Sequence, residues 1–224
     1  MQPERLRAPA KLTRSLRVIG VRDDGYHLID AEMVTVDLYD ELVFEDGEND
    51  LPADNLVSRA LVAVGRRAHV QLDKRIPMGA GLGGGSADAA AVLRWAGCDD
   101  LAVAASLGAD VPFCLVGGRA RVRGVGEVVE PVPPPWPPLV FTLLTPPLHV
   151  STRAVYAAWD ALGGPAGDGP NDLEPAALVV EPELAWWRDR LGELTGATPC
   201  LAGSGSTWFV EGEFEGPGLL VVRS

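Results

Sequence analysis

The sequence predicts a mixed α+β fold in two lobes. Three observations lead there. Segments with strand and helix patterning follow one another without regular alternation. The run from Pro131 to Pro138, six prolines and one tryptophan, can be neither helix nor central strand and reads as a stiff seam. A length of 224 residues accommodates one large domain or two small ones sharing a cleft. Lobes over residues 1–135 and 136–224 are expected.

Strands are predicted at Leu16 to Val21, Met33 to Tyr39 and Leu42 to Glu45, followed by an acidic turn, Glu45 to Asp54. Asn55 is placed to cap a helix reaching Val64. His69 to Ile76 alternates as a strand and leads into a glycine-rich loop. An alanine-rich helix over Ser86 to Ala96 stops at Gly97, and a second helix, Leu101 to Leu107, stops at Gly108. Arg119 to Arg123 and Val125 to Val129 resemble a hairpin turning at Gly124. Beyond the proline run come a strand at Leu139 to Leu144, helices at Ser151 to Leu162 and Glu183 to Leu194, and a small-residue loop, Gly203 to Ser206.

A net charge of −12, with no basic cluster larger than Arg66-Arg67, argues against nucleic acid or an anionic membrane as a partner. No run approaches the ~20 apolar residues of a membrane span, and the start, Met1 to Arg7, leads into no apolar stretch of a signal peptide. Cys98, Cys114 and Cys200 lie far apart and read as reduced thiols of a cytoplasmic protein. Of 19 basic residues only Lys11 and Lys74 are lysine, which singles out two compact, rotatable ammonium groups.

The loop Pro77-Met78-Gly79-Ala80-Gly81-Leu82-Gly83-Gly84-Gly85-Ser86-Ala87 lies between a predicted strand and helix. Glycines let backbone N–H groups converge and let a bulky anion approach without a Cβ in the way. The helix start, with Ser86 as its expected cap, adds partial positive charge. Gly79, Gly81 and Gly84 also satisfy GxGxxG, with Asp99 twenty residues after Gly79. The loop is nevertheless longer than a dinucleotide turn needs, and regular βαβ alternation is missing. The Walker pattern fails because no lysine follows the glycines. A simple turn requires one or two glycines, whereas five occur within seven residues here, so an anion site is expected.

The run from Pro77 to Ala87 resembles the second motif of the GHMP kinases. Pro9-Ala10-Lys11-Leu12, Asp24-Gly25-Tyr26-His27-Leu28, Lys74 to Gly79, Leu107 to Phe113, Asn171-Asp172-Leu173 and Gly203 to Ser206 are similar, in order, to motifs of one branch, the 4-diphosphocytidyl-2-C-methyl-D-erythritol kinases. The resemblance spans about Pro9 to Phe209. It implies the two-lobed GHMP kinase fold, with a ribosomal protein S5 domain 2-like N-terminal lobe and a ferredoxin-like C-terminal lobe. It also implies phosphoryl transfer from ATP, with Mg²⁺, to a cytidine-diphosphate-linked methylerythritol.

By the same resemblance Lys11 and Asp110 form the catalytic pair and the loop Pro77 to Ala87 binds ATP. Tyr26 and Tyr156 sandwich a cytosine whose polar edge His27 reads. On chemical grounds rather than by resemblance, Lys74 either approaches a phosphate or ends an exposed strand, and the Ser86 hydroxyl is a contact for the Mg²⁺ that ATP carries. The chemistry agrees, because phosphoryl transfer needs a carboxylate at the acceptor hydroxyl and cations at the phosphates. Thr13 stands where the branch usually has asparagine and bears on the methylerythritol end. The chain is also trimmed around Glu45 to Asp54, Gly97 to Leu101 and Gly163 to Pro170, in connections rather than motifs. Other readings stay open: a GHMP kinase for another small alcohol, a non-catalytic nucleotide-binding relative, and an NAD-binding protein.

Overall fold

The structure, a computed structural model, describes residues 3–165 and 169–224. Residues 166–168 of the trimmed connection, and residues 1–2 of the chain start, lie outside the described residues.

The first strand, β1 (Glu4–Val21), pairs antiparallel with β2 (His27–Glu45) in one long hairpin. Gly25, at φ 84°, turns it, and the Asp24 carboxylate accepts from the Tyr26 N–H. The hairpin corrects two expectations. β1 begins well before Leu16, and Met33 to Glu45 is one strand, not two. The start of β1 escaped notice because its centre does not alternate: Ala10, Lys11, Leu12 and Thr13 are all buried, on both faces. Shifts in register fall on either side of Lys11 and Thr13, and such irregularities re-aim side chains.

The helix α1 (Leu56–Ala63) is capped by Asn55, whose side chain accepts from the Val57 N–H at 2.8 Å. The strand β3 (His69–Asp73) ends earlier than expected and pairs with β2. The helix α2 (Gly84–Trp95) is buried continuously from Ala87 to Leu93. Its four alanines let it lie close to β1 with α1 alongside, and Trp95 stacks on Phe44 at 4.6 Å. Ser86 is not its cap. Gly83 holds that position at φ 69°, a left-handed conformation that glycine adopts without strain, and Ser86 falls inside the first turn.

Next come α3 (Leu101–Leu107), ended by Gly108, and α4 (Val111–Val116), a short apolar helix that the sequence did not reveal. The strands β4 (Arg119–Gly124) and β5 (Val128–Val132) complete the first sheet, ordered β1-β2-β4-β5 with β3 on β2. The turn between β4 and β5 occupies residues 125–127 rather than Gly124, so the second strand is displaced and takes in Pro131 and Val132. Proline is tolerated there because β5 is an edge strand.

The second sheet has the order β7-β8-β6-β9, built from β6 (Val140–Leu144), β7 (Cys200–Leu201), β8 (Trp208–Glu211) and β9 (Leu219–Arg223). The helices α5 (Thr152–Ala161), α6 (Glu174–Val180) and α7 (Leu184–Thr195) lie between β6 and β7 in the chain. Short β7, β8 and β9, and α6, were not expected. The two sheets thus fall on either side of the proline run. Across the junction Asp172 accepts from the Val18 N–H at 2.9 Å, and Arg14 bridges Glu32 and Glu211.

No helix among the described residues is long and apolar enough to cross a membrane. All three cysteines are free, and burial pushes the Cys114 and Cys200 thiols up to about 12, which keeps them protonated and unreactive. Cys98 is half-buried.

Candidate active site

A cleft of about 1230 Å³ opens between the glycine loop, the β1–β2 hairpin and α5. At its inner end lies Lys11, only 5% exposed. The Lys11 Nζ donates to Thr13 Oγ1 at 3.0 Å and stands 3.5 Å from Asp110 Oδ2. A buried ammonium forfeits hydration that such partners only partly restore, so a pair like this adds little stability but holds a charge in place. Asp110 occupies the N-cap position of α4, yet its side chain makes no capping bond. Its carboxylate is one-third exposed to the cleft, facing the lysine. Thr13 is buried, and its hydroxyl anchors Lys11.

The glycines of the loop prove to be required by protein neighbours as well as by any anion. A Cβ on Gly79 would fall 2.1 Å from the His149 imidazole. One on Gly81 would lie 2.3 Å from the Ala202 carbonyl oxygen and 2.8 Å from that of Gly205. On Gly83 it would meet the Lys11 stem at 2.7 Å. These three also have positive φ. The loop is therefore pressed between Lys11 and the segment 202–207 of the second sheet, where the Thr207 N–H donates to the Ala80 carbonyl at 3.1 Å. Asn171, fully buried, fixes that segment by donating to the carbonyls of Leu201 and Gly203 at 2.9 and 2.7 Å.

Lys74 lies beside Gly84 but is held by two carboxylates, Asp40 and Asp88, the latter at 2.7 Å. Asp40 also accepts from the N–H groups of Arg75 and Ile76. Burial pushes the Asp88 carboxyl up to about 7 against the pull of Lys74, while the two carboxylates raise the ammonium above its ordinary value. Asp88 Oδ1 has no hydrogen-bond partner. Lys74 thus braces the strand that enters the loop; the structure gives it carboxylate partners.

At the outer end Tyr26 is 62% exposed. The His27 ring lies 4.6 Å from that of Tyr156, tilted by 33°, and meets Trp159 edge-on at 5.5 Å. Burial pushes the Tyr156 phenol up to about 12, with Asp110 adding to the effect, so it presents a neutral ring.

The structure brings Lys11, Thr13, Tyr26, His27, Lys74, Asp110, Tyr156 and loop residues Pro77 to Ser86 to one cleft; Ala87 is buried within α2. No sequence pattern pointed to Asp40, Asp88, His149 or Asp160, whose partners are remote in the chain, or to Arg153. Arg153, in the first turn of α5, lines the cleft and pairs with no carboxylate among the described residues.

Among the described residues no cluster of three His, Cys, Asp or Glu could hold a metal alone. A nucleotide-borne Mg²⁺ does not need one, because phosphates and water supply most of its ligands. The buried, unpartnered Asp88 Oδ1, two residues beyond Ser86 at the cleft wall, is the feature that fits such an ion.

Residues 55–118 match the family described as GHMP kinases N terminal domain. A protein of Paramagnetospirillum magneticum named 4-diphosphocytidyl-2-C-methyl-D-erythritol kinase is 37% identical, over 91% of this chain and 87% of its own length. A Paracoccus denitrificans protein of the same name is 39% identical, over 90% and 84%. A crystal structure of 4-(cytidine 5'-diphospho)-2C-methyl-D-erythritol kinase superposes with a TM-score of 0.75 at 37% identity, covering 92% of this chain and 89% of that one. Homoserine kinase from Cytophaga hutchinsonii shares the fold, with a TM-score of 0.64 at 21% identity over 93% and 84% of the two chains.

Proposed function

The chain belongs to the 4-diphosphocytidyl-2-C-methyl-D-erythritol kinase family of the GHMP kinases, and on that premise we propose that it transfers the γ-phosphoryl of ATP to the 2-hydroxyl of 4-(cytidine 5'-diphospho)-2-C-methyl-D-erythritol. That reaction serves the non-mevalonate (MEP) route to isoprenoid precursors. The observation that carries the reading is the Lys11–Asp110 pair, 3.5 Å apart and enclosed by the glycine loop.

In the proposed mechanism the loop Pro77 to Ala87 holds the ATP phosphates through its N–H groups and the start of α2. Asp110 orients the acceptor hydroxyl and takes its proton. Lys11 pairs with the Asp110 carboxylate and stabilises charge on the oxygen that attacks. Thr13 holds the ammonium in line. Ser86 and Asp88 would contact Mg²⁺ or its water; the ion supplies charge neutralisation across the phosphates. Tyr26 and Tyr156 flank the cytosine, and His27 reads its edge. Lys74 acts through the loop it braces, and Arg153 faces the diphosphate. Residues 1–135 form the lobe that carries the ATP loop, and residues 136–224 the lobe that carries α5 and the clamp on the loop. Three free thiols, two of them buried, accord with a cytoplasmic enzyme.

The test is a coupled assay of Mg²⁺-dependent ADP release on a panel of alcohols. Turnover with the cytidine-diphosphate substrate well above homoserine or mevalonate supports the proposal. Preference for another alcohol, or nucleotide binding without turnover on any, would overturn it.

A further inference from the structure

His27 opens β2, and its side chain is 9% exposed. Two aromatic rings of α5, Tyr156 and Trp159, box it in. Trp159 is itself fixed, its Nε1 donating to the Pro165 carbonyl at 3.0 Å, and Gly164 leaves room for its ring, where a Cβ would stand 2.9 Å away. On this boxed imidazole Nε2 lies 2.8 Å from Asp160 Oδ1. An ionised carboxylate only accepts hydrogen bonds, so Nε2 carries the proton and Nδ1 of the neutral ring keeps its lone pair.

The tautomer matters because His27, Asp160, Tyr26 and Tyr156 line the same end of the cleft. Cytosine presents an exocyclic amino donor at the ring position where uracil presents a carbonyl acceptor. A lone pair on Nδ1 attracts the first and repels the second. We infer that Asp160 is a positioning residue that fixes the His27 tautomer and thereby makes the outer end of the cleft select aminopyrimidine over uracil nucleotides. No sequence motif pointed to Asp160. Its partner lies 133 residues away in the chain. The inference rests on reading this end as the nucleobase site and adds which group sets the base preference.

The test compares binding of cytidine diphosphate and uridine diphosphate to the full chain by calorimetry, with ATP binding measured in parallel. In the unaltered protein cytidine diphosphate should bind at least about tenfold tighter. Asp160→Ala, at a half-exposed position in the last turn of α5, should bring the two within about threefold, by weakening the first and strengthening the second. Asp160→Glu should restore the preference in part, and nitrogen-15 spectra should show His27 losing its uniform Nε2–H tautomer only in the alanine variant. A preference that survives Asp160→Ala overturns the inference while leaving the cytidine site intact. If the unaltered protein binds ATP but neither diphosphate, the nucleobase reading fails and the inference with it.

Discussion

At the inner end of the cleft Lys11 is 5% exposed, held by Thr13 and Asp110 and overlain by a loop that has no room for side chains. At the outer end Tyr26 is 62% exposed and Asp160 half-exposed, and His27 is held by rings and a carboxylate rather than by backbone. The inner end is fixed by backbone contacts that span both sheets; the outer end is set by side chains on one turn and one helix. Chemistry that depends on sub-ångström placement belongs in the first setting. Recognition of an extended nucleotide tolerates the second. Changes at the inner end should therefore cost turnover or integrity, and changes at the outer end affinity.

The sharpest break of that contrast would come from Gly81→Ala. Its Cβ would sit 2.3 and 2.8 Å from two backbone oxygens, in a conformation with φ 77°. Left-handed backbone alone costs an alanine about 1–2 kcal/mol, so the loop must part from segment 202–207. The ATP KM should rise by tenfold or more, measured with ATP varied at saturating acceptor. An unchanged KM would show that the clamp on the loop is dispensable. At the outer end Arg153→Ala should raise the acceptor KM by about three- to tenfold with kcat nearly intact, because the exposed cation contributes charge rather than geometry. A fall in kcat instead would move Arg153 to the chemical end.

The smallest effect on turnover, read instead through stability, tests the bracing network under the loop. The folded-state value of Asp88, about 7, lies above its unfolded one. The folded state then holds a proton that the unfolded state has lost, so this group's contribution is full at low pH and falls away as pH rises toward 7. Asp88→Asn removes that titration. Between pH 5 and 8 the unaltered chain should lose about 2–3 kcal/mol more than the variant, read from urea unfolding at both pH values. Parallel pH profiles for the two proteins would show that Asp88 is ionised throughout.

The glycine loop, Lys11, Asp110 and the cap Asn55 were legible in the sequence because each belongs to a short local pattern. The meaning of the glycines was only half legible. Their number suggested an anion, and His149, the Ala202 and Gly205 carbonyls and the Lys11 stem turn out to need the same bare positions. Lys74 stood out as one of two lysines, but Asp40 and Asp88, which occupy it, are joined to it only by folding. The strands β7, β8 and β9 and the helices α4 and α6 are too short to carry a period of their own. β1 hid its central part because a strand buried on both faces loses its alternation.

The central claim is that the enclosed Lys11–Asp110 pair performs the chemistry. Asp110→Asn keeps the shape of the side chain and removes its charge, so ATP and the cytidine-diphosphate substrate should bind within a few-fold of normal while ADP release at saturation falls by about 10²- to 10⁴-fold. Turnover within tenfold of the unaltered protein would contradict the claim.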